Sequence, residues 1–287
     1  MRISRQIVTM VAAIFILTAW TNVFSQKGRH DQPLTDELTK ILADRTKLVF
    51  DAFRTSDGAD WAGLYFQGDH HPTELSWEPE TGFVVTASRH TFSPSWINYG
   101  EVRFEHDRLE LFPAMPRDSP YAFNLKTEYV GIRWGDWRFL VPPDELMSFA
   151  YAVHSGSSFE IWQYFVRPGV AGGRDKKLPE MEDVYLKIIK SSPIRPKVIA
   201  VRQYSEHILS TEVTLNSGRN KGLIEGMTFY YSDGRDREFI SIRVDVVEEK
   251  TATAVVSSWG GTRNDLEGPK PGMIFSSKMP AGFIEPG

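Results

Sequence analysis

Apolar residues recur every three or four positions between Thr35 and Arg54, where Leu38, Ile41, Leu42, Leu48, Val49, Ala52 and Phe53 stand between charged neighbours. The spacing predicts an amphipathic helix with Thr35 as its N-cap, ended by the turn-rich Thr55-Ser56-Asp57-Gly58. From Asp60 the pattern shifts to short aromatic and β-branched runs over 61–66, 73–77, 83–87, 101–105 and 108–112, which read as strands. The breaks between them, Gln67-Gly68-Asp69, Glu78-Pro79-Glu80-Thr81-Gly82 and His106-Asp107, are short enough to join antiparallel neighbours, and Gly135-Asp136 joins 129–134 to 137–141 in the same way. A meandering antiparallel sheet is expected.

Pro142-Pro143-Asp144-Glu145 then opens a second helix, with Leu146, Met147, Phe149, Ala150 and Val153 as its apolar side, Gly156 as its terminator and His154 placed to complement the negative end of its dipole. A strand over 159–166, a glycine-rich loop over 169–173 and a short helix over 179–190 follow. Ser191-Ser192-Pro193-Ile194-Arg195-Pro196 reads as a domain boundary, because two prolines discourage regular structure there. Beyond it, runs over 197–202, 208–215, 227–231, 239–247, 251–257 and 273–276 are all strand-like. The cleanest alternation sets Ile240, Ile242, Val244 and Val246 on one face and Ser241, Arg243 and Asp245 on the other. The fold class predicted is mainly β, of the α+β kind. It has an antiparallel aromatic-rich sheet with two or three helices over 26–192, a small β-barrel over 197–279 and a loose tail over 280–287.

Residues 1–25 carry a different signal. Arg2 and Arg5 precede a mostly apolar run from Ile7 to Trp20, and Val23 and Ser25 fit the requirements for cleavage after Ser25. The expectation is a secretory leader, with an uncleaved anchor as the alternative. A spanning helix needs about 20 predominantly apolar residues, and Thr9, Thr18, Thr21 and Asn22 interrupt or end this run. The mature protein is thus expected in the periplasm or the medium, without a membrane span. The chain holds 33 Lys and Arg against 37 Asp and Glu, a formal charge of −4, and loss of two leader arginines makes it more acidic. With no long basic cluster it lacks the electrostatic footprint for nucleic acid or for anionic membrane surfaces. It also has no cysteine, which excludes a disulfide scaffold, a lipid-modified cysteine, a thiol nucleophile and thiolate zinc sites.

Two regions bear a resemblance to known proteins. Leu215-Asn216-Ser217-Gly218, Lys221-Gly222-Leu223-Ile224-Glu225-Gly226-Met227, Thr251-Ala252-Thr253-Ala254-Val255-Val256 and Pro271-Gly272-Met273 resemble the small β-barrel modules of bacterial envelope scaffold and flagellar-assembly proteins. The resemblance implies a barrel whose glycines permit tight turns, and it transfers no catalytic residue. The region from Trp61-Ala62-Gly63-Leu64-Tyr65 through Arg133-Trp134-Gly135-Asp136 and Leu140-Val141-Pro142-Pro143-Asp144-Glu145 resembles a group of uncharacterised exported bacterial β-rich proteins, which implies export and no particular activity.

Candidate chemistry is sparse. Asp69-His70-His71 offers metal-ligand types, but adjacent side chains of an extended segment point to opposite faces, so a solvated turn accounts for them. Gly218-Arg219-Asn220-Lys221-Gly222 lacks the Gly-Lys-Ser/Thr and following helix of a phosphate cradle, and reads as a turn. His154-Ser155-Gly156-Ser157-Ser158 is not a nucleophile elbow. Asp69, Glu74, Glu101, Glu105 and Glu128 fall in the sheet without a spacing that singles out a glycosidase pair. Trp61, Tyr65, Trp77, Trp96, Trp134, Trp137 and Trp162 form either the core or a ligand-facing surface. Trp96 is the one candidate binding residue, because its neighbours read as a loop. No catalytic residue, metal or cofactor is assigned. A non-catalytic envelope binding or scaffold protein, with an envelope protein or glycan as partner, is the leading expectation, and a carbohydrate-binding or glycan-hydrolysing sheet is the alternative.

Overall fold

The computed structural model describes residues 34–55, 60–68, 73–87, 96–116, 119, 121–156, 161, 163–169, 177–203, 211–232, 239–260 and 268–279. Residues 1–25, where a leader is expected, Asp69-His70-His71, Ser157-Ser158, Trp162 and the tail from Pro280 lie outside the described residues. The chain forms two units. One takes the described residues through Pro143 together with Trp162–Glu180, and the other takes Asp144–Ile161 and the chain from Met181 onward.

In the first unit, Thr35 Oγ1 accepts the Leu38 amide at 3.2 Å and caps helix α1 (Asp36–Thr55). The strands that follow are β1 (Gly63–Gln67), β2 (Thr73–Glu78), β3 (Gly82–Ala87), β4 (Trp96–Glu105), β5 (Arg108–Pro113), β6 (Glu128–Trp134), β7 (Trp137–Val141) and β8 (Phe165–Arg167). Each pairs antiparallel with the next, and Phe66 opposite Val166 joins β1 to β8, so the predicted sheet closes into an eight-stranded barrel.

Strand alternation decides what fills the barrel. Tyr65, Leu75, Trp77, Phe83, Val85, Leu109, Leu111, Tyr129, Leu140 and Phe165 form one buried cluster. An interior of this strand number is just wide enough for side chains to occupy, which is where much of the aromatic load goes. The alternate positions of β4 and β5, Glu101, Arg103, Glu105 and Arg108, face solvent. Leu42 and Val49 of α1 pack with Val84, Ile97 and Met115 on the barrel's outer side. Each such fully buried aliphatic group is worth about 1.5–3 kcal/mol over exposure.

Two hairpins show local causes. Glu78 is buried, and its Oε2 accepts the Glu80 and Thr81 amides, both at 2.9 Å, which closes the β2–β3 turn. His106 and Asp107 both take positive φ, 52° and 60°, the requirement of a type I′ hairpin.

The second unit contains α2 (Leu146–Ser155), α3 (Asp183–Ile189), β9 (Val198–Gln203), β10 (Thr211–Leu215), β11 (Thr228–Tyr231), β12 (Phe239–Val247) and β13 (Ala252–Gly260). Its sheet runs β11-β12-β13-β10-β9. Residues 273–277 join the two edges, for Ile274 bridges Lys197 and Ser276 bridges Tyr230. The Tyr230 and Ser276 amides donate to each other's carbonyls at 2.8 Å. The five-stranded sheet packs around Val198, Leu215, Phe229, Ile242, Val256 and Phe275, where the sequence predicted a small barrel, and isolated bridges alone link its two edges.

Three expectations are corrected here. The proline-rich stretch before Lys197 is not a linker, because the Pro196 and Ile194 carbonyls accept the Phe275 and Ser277 amides at 3.0 Å. Pro196 sits where only its carbonyl is needed. The division between units also lies elsewhere than 192/197, since α2 and α3 pack on one another within the second unit. Finally, the alternation along β12 fails after Val244. A register shift between Val244 and Val246 leaves Val246 49% exposed and buries Val247, as a bulge does when it moves later side chains to the other face.

Candidate functional site

Three adjacent strands carry an arginine each in direct register. Arg133 of β6 lies opposite Arg138 of β7, and Arg138 lies opposite Arg167 of β8. Two-residue alternation puts them on the same face as Tyr129, Leu140 and Phe165, the inner face, at the end of the barrel marked by Trp61 and Trp77. Like charges directly opposite one another destabilise a sheet, so this row needs compensation. Asp60 supplies it in part: its Oδ1 meets Arg138 Nη2 at 2.7 Å and its Oδ2 meets Arg133 Nη2 at 2.6 Å. Arg138 also donates to the Gly135 and Trp137 carbonyls at 3.2 and 3.0 Å, and Arg167 donates to the Ala62 and Asp60 carbonyls. Burial alone would raise the Asp60 carboxyl. The hydrogen bond and charge of Arg138, with the charges of Arg133 and Arg167, outweigh it and hold the group below the usual carboxylate range.

Rings back the row. The Arg133 and Arg138 guanidiniums each lie 5.6 Å from the Trp61 ring, and that of Arg167 lies 5.7 Å from the Tyr65 ring, within cation–π range. Gly131 makes room for this stacking, since a Cβ there would meet the Trp61 ring at 2.8 Å. The Tyr65 hydroxyl donates to the Trp61 carbonyl at 2.7 Å, and burial pushes it well above the ordinary tyrosine range. Three donors at this end, Arg138 Nε, Trp61 Nε1 and Trp77 Nε1, are buried without an acceptor among the described residues.

The residues singled out from the sequence do not assemble into a second site. Trp96 opens β4 opposite Ala87, so it stands in a strand and not in the expected loop. Its register places it at the barrel end away from the arginine row. It is half-buried. Trp61, Trp77 and Trp137 are buried, and Trp134 donates its indole N–H to the Lys177 carbonyl at 2.8 Å. Among the acids, Glu101, Glu105 and Glu128 are exposed on the outer face. Glu74 is half-buried, and burial pushes its carboxyl up. The register does bring Glu110 opposite Glu128, a pairing the spacing had not indicated, but the two lie on the barrel's outside and Arg103 pairs with Glu110. The Gly218–Gly222 amides are used internally: Arg219 and Asn220 donate to the Glu248 and Glu249 carbonyls at 2.8 and 3.0 Å. No group of three or more histidine, cysteine, aspartate or glutamate residues among those described is placed to hold a metal ion.

His154 departs from its expected role. It is 1% exposed. Its Nε2 lies 2.9 Å from Ser277 Oγ, which accepts the Ile194 amide at 2.9 Å, and its Nδ1 faces the Ile189 carbonyl at 3.4 Å. A neutral ring protonated on Nδ1 satisfies this set, and Ser277, itself buried, serves as a structural hydroxyl. Burial and the nearby Lys278 charge lower the His154 pKa against the opposing pull of the Ile189 and Ile188 carbonyls, so the ring is not the cation that would answer a helix dipole. The lowered folded-state value means that the stability it contributes is complete above the unfolded value of about 6.5 and is lost as pH falls from there through the folded value. In denaturation curves between about pH 7 and 5, the natural chain should lose stability on acidification, and His154→Gln should flatten that loss. An unchanged slope in the variant would contradict this account.

The arginine row had one signal in the sequence. In Arg133-Trp134-Gly135-Asp136-Trp137-Arg138, a two-residue turn necessarily sets arginine opposite arginine and tryptophan opposite tryptophan. Nothing local announces Arg167 or Asp60, which join through long-range pairing. No helix among the described residues is long and apolar enough to cross a membrane. No family model, curated protein or solved structure matches the chain.

Proposed function

We propose that this chain is a non-catalytic exported protein that binds or scaffolds components of the bacterial envelope. The observation that carries the reading is the placement of its chemistry-bearing side chains. Trp61, Tyr65, Trp77 and His154 are committed to packing or buried hydrogen bonds, and Glu101, Glu105 and Glu128 are dispersed over an exposed outer face. Such a distribution favours contact through a rigid surface over reaction in a cleft. The leader pattern and the resemblance of the C-terminal region to envelope modules support the location.

Site-specific photocrosslinking of the full chain in its native cells, with probes on the outer faces of β4 and β5, should yield the same discrete envelope adduct in repeated trials. Turnover of peptidoglycan or exopolysaccharide by the purified protein, abolished by Glu110→Gln or Glu128→Gln, would overturn the reading. One observation favours a glycan-contacting variant of it. Phe112 is 49% exposed on that face, opposite Glu101 and under the Arg103 guanidinium at 5.9 Å. That is the mixture of ring face and polar groups that sugars engage.

A further inference from the structure

The geometry points to an oxyanion-binding site at the arginine row, taking a carboxylate or phosphate group of a ligand beside Asp60. The inference rests on the barrel end itself and is independent of the envelope role. Three guanidiniums stand in direct cross-strand register, and Asp60 makes ion pairs with two of them, Arg133 and Arg138, on strands where like charges oppose each other. Asp60 displays how an oxyanion is held here, with one oxygen on Arg133 and the other on Arg138. That is the charge-assisted geometry for which arginine is suited.

Two further observations point the same way. The buried Arg138 Nε, Trp61 Nε1 and Trp77 Nε1 lack acceptors among the described residues, and buried donors in native proteins are nearly always satisfied by protein, water or a bound group. The cluster is also reachable, since the Arg133 and Asp60 side chains are 38% and 45% exposed while Arg138 is 10% exposed. A ligand oxygen can therefore approach from solvent onto Arg133 and share the row with Asp60 or displace it.

The test is titration of the full chain with inorganic phosphate and, separately, with citrate, followed calorimetrically at constant ionic strength with chloride as the background. Saturable binding is expected. Arg133→Gln should weaken it by about tenfold or more, as loss of a charge-assisted hydrogen bond does. Asp60→Asn, which removes the competing carboxylate, should tighten it. Arg243→Gln, at an exposed position of β12, should leave it unchanged. Near-UV circular dichroism establishes that each variant is folded, and Arg133→Lys, which keeps the charge and loses the planar fork, replaces Arg133→Gln should the latter unfold. Tighter binding of phosphate marks a phosphorylated ligand, and tighter binding of citrate marks a carboxylated one. Failure of both anions to saturate, or equal weakening by Arg243→Gln and Arg133→Gln, would show the row to be a structural network and overturn the inference.

Discussion

Replacing Trp77 with alanine should lower the unfolding free energy by about 3–5 kcal/mol, the range for removing a fully buried large aromatic. The ring is inaccessible to solvent and sits at the crowded end of the barrel, 5.1 Å from the Phe104 ring at a 41° tilt. An eight-stranded barrel cannot shrink around the loss, because its girth is fixed by strand number and stagger, so much of the vacated volume would persist as a cavity. Chemical denaturation gives the value, with Phe112→Ala as the comparison. Phe112 lies half-exposed on the outer face, and its truncation should cost within about 0.5 kcal/mol. A Trp77→Ala loss below about 1 kcal/mol would mean that the interior is not packed on this ring.

Gly82→Ala should be nearly as damaging, at about 2–4 kcal/mol from backbone strain and overpacking together. Gly82 opens β3 with φ at 91°, and a Cβ built there would run into the Gly100 carbonyl oxygen. Gly100 is confined in turn by the Phe112 carbonyl, so β3, β4 and β5 all approach too closely for relief by a small shift. The informative contrast is Gly156→Ala at the end of α2. There φ is 77° with nothing within 4 Å of an added Cβ, and the cost should be conformational only, about 1 kcal/mol. Equal thermal shifts for the two variants would remove the steric half of the argument.

Much of the architecture was legible because period-two alternation and turn chemistry are local. The runs around Leu75 and Trp77, Val84 and Val85, and Leu109 and Leu111 fell where β2, β3 and β5 form. The His106-Asp107 turn and the Thr35 cap were equally readable. Barrel closure was not, because a meander has the same pattern open or closed and the deciding pair, Phe66 with Val166, is separated by a long intervening chain. For the same reason Pro193 and Pro196 looked like a boundary, although residues 194–196 pair with 275–277. Trp96 was misplaced because the residues before it are rich in turn formers, while its own strand is recruited by Ala87. The arginine row was half-visible: hairpin geometry dictates Arg133 against Arg138, but only tertiary pairing adds Arg167 and Asp60.

The strand that seals the eight-stranded barrel has an unusual history along the chain. After Pro143 the polypeptide leaves that unit, contributes Asp144–Ile161 to the other, and returns with Trp162–Glu180. During synthesis, seven strands must therefore wait for the eighth, holding the rims of β1 and β7 unpaired. Bare rims of that kind template pairing between molecules. A polypeptide terminated anywhere before Phe165 would keep this stickiness permanently, so proteolytic nicking in the intervening segment or premature arrest should be far more hazardous to solubility than loss of the last few residues.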